Sequence, residues 1–100
     1  MIRIEFDPVK DVANQGKHGV ALAIAEFADW PVAMARFDTR FDYREARVVA
    51  LVPVEDTVYD IVFVDRGSVR RIISVRRANR REAEHDVRFR EAAFDPDSHR

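Results

Sequence analysis

One hundred residues with 47% hydrophobic content suffice for a single compact domain around one modest core, which excludes a multidomain enzyme. Seventeen basic residues against eighteen acidic ones leave a formal charge of −1, so the whole-chain balance favours neither a nucleic-acid binder nor an acidic tail. The lack of cysteine removes disulfide staples, thiolate zinc sites and cysteine nucleophiles, as suits a reducing, cytoplasmic setting.

Ile2 and Ile4 alternate with Arg3 and Glu5, the pattern of a short half-buried strand rather than a secretory leader, so a soluble, unprocessed chain is expected. No apolar run approaches the roughly 20 residues of a membrane-spanning helix. Asp7-Pro8 then predicts a helix start, because the carboxylate can accept first-turn amides and proline needs no amide hydrogen at the first helical position. Val9, Val12 and Ala13 share one face of this helix, and Gly16 or Gly19 ends it with Lys17-His18 in the last turn. Val20, Ile24, Phe27 and Ala28 recur at helical spacing and predict a second helix, stopped by Trp30-Pro31.

The period then shifts from 3.6 to 2. Strands are expected over Val32–Phe37, Ala46–Val52, Val58–Val64 and Ser68–Val75, with Asp38–Glu45 and Pro53–Thr57 as connections. Asp65-Arg66-Gly67 predicts a tight antiparallel hairpin. Ala78 to about Ala92 reads as a helix with a thin apolar stripe of Ala78, His85 and Phe89, in need of a partner surface. The order is β-α-α-β-β-β-β-α, an α+β fold of two layers with a mostly antiparallel sheet. Residues 1–93 are expected to form the one domain, with a frayed tail over 94–100.

Net neutrality hides a dipolar chain. Between Arg66 and Arg90 nine arginines face three acids, a net +6, which leaves −7 for the remainder. Such a segment is the footprint of a phosphate-binding face, and arginine's planar fork suits phosphate better than an ammonium. Solvated helix faces and a GC-rich genome yield the same composition, so the pattern alone supports both readings. Under strict alternation Arg71 shares a face with Val69, Ile73 and Val75, and Arg70 and Arg76 share the other with Ile72 and Ser74. An arginine at the core edge therefore requires a phosphate or a carboxylate from the acidic half.

The three histidines lack metal-ligand spacing, the serines lack a nucleophile elbow and the glycines make no phosphate loop. What remains is acid–base work by His18, His85 or a tyrosine beside arginines. RNA supplies its own 2′-hydroxyl nucleophile, so such a site needs no metal or cofactor. His18 suits either a helix C-terminal residue bonding the last carbonyls or a base. His85 either extends the apolar stripe or acts in chemistry, and Tyr43 and Tyr59 suit a loop and a core strand. Asp60, alternating with Val58, Val62 and Val64, suits a sheet edge or an arginine partner.

Glu5-Phe6-Asp7, Lys10, Asn14 and Lys17-His18-Gly19-Val20 resemble the opening pattern of BrnT-type toxins. Arg47 with Ala50-Leu51, Val62-Phe63 with Arg66-Gly67, and the block Arg71-Ile72-Ile73-Ser74-Val75-Arg76-Arg77-Ala78 continue the resemblance through Arg80-Arg81-Glu82. It implies a RelE-like fold and a metal-independent ribonuclease toxin. It also implies a BrnA-type antitoxin partner with a ribbon-helix-helix part, through which alone the complex would contact DNA. By matched position it implies Lys17, His18, Arg47 and Arg76 as catalytic residues, with Arg77 and Arg80 next. Arg70, Arg71 and Arg81 join these two as candidate RNA contacts on charge. The sequence departs from the family pattern with Phe6 for tryptophan, Val52 for glycine and Val75 for alanine. His85-Asp86 stands where the family's last helix often carries a tyrosine, which makes His85 a candidate substitute and leaves a weak or inactive, antitoxin-binding member as the alternative.

Overall fold

The structure, a computed structural model, describes residues 2–39 and 44–94, the side chains of 93 and 94 apart. The expectations for Tyr43 and for the tail beyond 94 lie outside the described residues.

Strand β1 (Arg3–Glu5) leads into helix α1 (Pro8–His18), and both expected caps form. The Asp7 carboxylate accepts the Val9 amide at 2.8 Å, and Gly19 closes the helix at φ 70° with its N–H on the Gln15 carbonyl. The expected apolar face fails, since Val9 and Val12 are 78% and 71% exposed. Polar groups seat α1 instead. Buried Asn14 donates to the carbonyls of Val20 and Val75, both at 2.8 Å, and accepts the Val75 amide at 3.2 Å. The Asp11 carboxylate takes the Leu22 amide at 2.8 Å.

The predicted second α-helix is corrected to two 3₁₀ segments, Leu22–Phe27 and Trp30–Val32. A three-residue period buries Leu22 and Ala25 and leaves Phe27 73% exposed. Tertiary hydrogen bonds impose that path: Trp30 Nε1 donates to the Ala25 carbonyl at 3.1 Å, and the Asp29 amide donates to the Pro53 carbonyl at 2.9 Å.

Strands β2 (Met34–Phe37), β3 (Val48–Val54), β4 (Thr57–Arg66) and β5 (Val69–Arg77) follow. The connection expected over Pro53–Thr57 shrinks to a Glu55-Asp56 turn, because Pro53 and Val54 remain in β3. The described strands form one sheet in the order β1-β5-β4-β3-β2, antiparallel except for the β1–β5 pair. The expectation of an α+β fold with a mostly antiparallel sheet holds, but the expected two layers do not, because the last helix lies over the face opposite the core. One face of the sheet carries the core, with Ala50, Val52, Ile61, Ile72 and Val75 packed on Leu22 and Ala25.

Strict alternation along β5 does not hold. Ile72 pairs with Phe63 and Ser74 with Val62, so Ile73 is an extra residue in a β-bulge. Ile72 and Val75, three apart, are thereby both buried, and Arg70 and Arg76 turn to opposite faces. Because β1 pairs only with Val69–Arg71, no described strand flanks β5 at Val75 on the edge away from β4, and the Asn14 amide supplies the missing hydrogen bonds there.

Helix α2 (Arg80–Phe94) follows β5 and packs toward β3. A capping box starts it: the Asn79 side chain accepts the Glu82 amide at 2.8 Å, and Glu82 accepts the Asn79 amide at 2.9 Å. Its more buried positions are Glu82, Ala83, Asp86 and Arg90, so the stripe expected through His85 and Phe89 lies exposed instead. Among the described residues no helix is long and apolar enough to cross a membrane.

Candidate functional site

On the sheet face opposite the core, Met34, Arg36, Val49, Leu51 and Asp60 form the floor of a cleft of about 340 Å³, and Arg81, Glu82 and His85 of α2 form its wall. Arg81 and His85 stand four residues apart on the helix and so project from the same side. Neither the Arg81 nor the Arg77 side chain makes an ion pair among the described residues.

Arg76 ties two lining carboxylates together. Its guanidinium donates to Asp60 Oδ2 at 2.8 Å, to Glu82 Oε1 and Oε2 at 2.9 Å each, and to the Arg77 carbonyl at 3.3 Å. Four of its five N–H donors are thus engaged, and only Nε–H is left. The pairing answers the open question about Asp60, which sits on the central strand with an arginine partner. The Arg76 hydrogen bonds, with lesser help from the Asn79 backbone, lower the Glu82 pKa from 4.5 to about 2. Burial raises that of Asp60 above 3.8, with Arg76 only partly opposing it.

Acid should therefore protonate Asp60 before Glu82. The Glu82 contribution to stability is present above its ordinary value of 4.5 and is lost as the pH falls toward 2. Asp60 has the opposite sign, favouring the fold below 3.8 and ceasing to do so as the pH rises through its folded value. A carboxyl-detected NMR titration is expected to show that order. Glu82 titrating above Asp60 would contradict the Arg76 geometry.

Over residues 6–82 the chain matches the family model described as ribonuclease toxin, BrnT, of type II toxin-antitoxin system. The chain belongs to the BrnT toxin family. Its fold is similar to the crystal structure of the Brucella abortus ribonuclease toxin, BrnT, with a TM-score of 0.62 and 25% identity, over 80% of this chain and 100% of that one. Among curated proteins none matches it in sequence.

The residues that the BrnT resemblance singles out fall in separate places. Arg81 and His85 line the cleft, and Arg76 is bonded to its wall. Lys17 and His18 occupy the last turn of α1, one turn beyond Asn14, and do not line the cleft. Arg47 precedes β3, its carbonyl accepting the Asp38 amide at 2.8 Å. Arg70 answers the need for an anion at the core edge with a carboxylate. It donates to both Asp65 oxygens at 2.7 and 2.9 Å while its guanidinium lies 4.5 Å from the Trp30 ring centroid and 4.2 Å from that of Phe63. Arg71 pairs with Glu5 at 3.0 Å, and exposed Arg80 with Glu84 at 3.2 Å.

The basic segment is largely neutralised in the fold. Arg66 pairs with Glu45 and Arg90 with Asp86, so most of the +6 segment is matched by carboxylates, and Arg77 and Arg81 stand out as uncommitted cations. Among the described residues no three His, Asp or Glu side chains gather in a metal-ligating group. Reading single residues missed Glu82. Its signal was present as Asn79-x-x-Glu82, the spacing of a capping box.

Proposed function

We propose that this chain is the toxin of a type II toxin–antitoxin pair and cleaves RNA, without a metal, in the cleft between the sheet and α2. The observation that carries the reading is the juxtaposition of uncommitted Arg81 and exposed His85 in that cleft, in a member of the BrnT family. The 2′-hydroxyl oxygen attacks the adjacent phosphorus, its proton passing to the His85 imidazole. The bond from phosphorus to the 5′-oxygen breaks, and the imidazolium returns a proton to that oxygen. A 2′,3′-cyclic phosphate and a 5′-hydroxyl result. Arg81 stabilises the charge that develops on the phosphorane, and Arg76 holds Asp60 and Glu82 in place while offering its remaining Nε–H.

Arg77 and Arg80 would extend the contact with RNA, while Lys17, His18 and Arg47 serve RNA or the partner from outside the cleft. The partner is a BrnA-type antitoxin with a ribbon-helix-helix part, which brings the complex to DNA, and the pair works in the cytoplasm. One observation favours a second reading, a weakly active or inactive antitoxin-binding member: the donors of Arg76 are largely committed to carboxylates. Purified protein incubated with RNA, with and without chelator, separates the two. Cleavage that survives chelation is expected. Intact RNA supports the second reading, and cleavage abolished by chelator overturns the metal-free mechanism.

A further inference from the structure

The outward side of α2 carries a groove of about 430 Å³ lined by Arg81, His85, Arg88 and Phe89. Two of these, Arg81 and His85, also line the cleft, so the groove adjoins it. The intervals of four, three and four residues stack the side chains along one side of the helix. Among the described residues no acidic side chain lines the groove. Arg81 makes no ion pair among the described residues, and Arg88 reaches only Glu84 Oε2 at 4.0 Å, with 76% of its side chain exposed. Phe89 remains 43% exposed even though α2 turns Glu82, Ala83, Asp86 and Arg90 toward the body.

We infer that this groove seats the single-stranded RNA flanking the cut phosphate, with Phe89 as the stacking platform for a base and Arg88 as a phosphate contact beside Arg81. The inference rests on the ribonuclease reading and extends it to Phe89, which the family resemblance did not select, and to a specific role for Arg88 within the basic segment. Its physical basis is complementarity. Cationic forks around an aromatic ring with no intervening carboxylate match a polyanion whose every unit presents a flat π-face. A protein partner would gain more from a continuous apolar surface, but the exposed Val87 lines a neighbouring groove among the charged Arg80, Glu84 and Arg88.

The test uses the full chain and a short, labelled, mixed-sequence single-stranded RNA carrying 2′-fluoro groups, which lacks the nucleophile and stays intact during titration. Phe89→Ala and Phe89→Leu are expected to weaken binding about 5- to 150-fold, the range associated with stacking one base. Phe89→Trp retains affinity. Arg88→Ala lowers the slope of log affinity against log salt by about 0.7, as loss of one phosphate contact to a single strand requires. Unchanged far-UV circular dichroism checks that α2 stays folded.

Wild-type affinity in Phe89→Leu and an unchanged salt slope in Arg88→Ala, alongside normal RNA cleavage by the wild type, would overturn the groove and leave the ribonuclease reading intact. Failure of the wild type to bind or cut any RNA would overturn both. Loss of antitoxin binding in Phe89→Leu with RNA affinity unchanged would overturn the inference in favour of a protein-docking face.

Discussion

Replacement of His85 by alanine is expected to slow RNA cleavage by about 10²- to 10⁴-fold, the usual worth of a positioned proton-transfer group. The imidazole is exposed on α2 and among the described residues no hydrogen bond ties it to the body, so stability should stay within about 0.5 kcal/mol of the parent. Added imidazole should restore part of the rate, which a purely structural role for His85 would not allow. Arg81→Ala should cost about 10²- to 10³-fold, because it removes the cation that stands one helical turn from His85 in the cleft. Single-turnover cleavage with saturating protein measures both. Parental rates in His85→Ala would remove it from the chemistry and return attention to His18 in the last turn of α1. Arg76→Ala is a poorer probe, because it strands the Asp60 and Glu82 carboxylates and loosens the α2 cap together with any phosphate contact. Loss of RNA cleavage in that variant would mix folding with catalysis.

Asn14→Leu should lower the free energy of unfolding by about 3–5 kcal/mol, although a leucine of similar size suits a helix well. Asn14 is 6% exposed and serves three backbone groups on two segments. Its removal leaves the Val75 amide and carbonyl and the Val20 carbonyl short of partners, each worth about 1–3 kcal/mol when buried and not strictly additive. Against a total stability of about 5–15 kcal/mol the variant sits near the threshold of folding. Urea unfolding followed by circular dichroism measures the loss as a lower midpoint. A loss below about 1 kcal/mol would show that the open edge of β5 finds water or another partner unaided.

Asn14 also marks a limit of the sequence pattern. Periodicity assigns the inward side of α1 to Val9, Val12 and Ala13, because apolar residues at helical spacing ordinarily seek the core. The short β1 leaves one edge of β5 open at Val75, and an amide with both donors and an acceptor meets that need where a valine cannot. The helix itself was legible at both ends, since Asp7-Pro8 and Gly19 act through their own backbone and immediate neighbours. The segment after it was not. Its spacing suits an α-helix, yet the Asp11 carboxylate and the Pro53 carbonyl capture backbone amides and draw it into 3₁₀ turns.

The candidate site divides in the same way. Arg76, Arg81 and His85 could be named from the chain, but their grouping with Asp60 and Glu82 depends on how α2 returns over the outer face of the sheet. Phe89 read as part of a thin apolar stripe in need of a partner surface, and it is exposed because α2 turns its Glu82–Asp86–Arg90 side inward.

The sequence by itself determined the helix caps, the Gly67 hairpin, the β-branched strands and hence the α+β class, because each depends on residues within a few positions of one another. Tertiary structure alone decided where the arginines act. One extra residue, Ile73, turns Arg70 toward Trp30 and Phe63 and Arg76 toward Asp60. Carboxylates as distant in sequence as Glu5 from Arg71 then neutralise most of a segment that carries +6 in the linear chain. Charge pairing depends on distances of a few ångströms in space, and those distances are set by register and by the turn of α2, to which local propensity is blind.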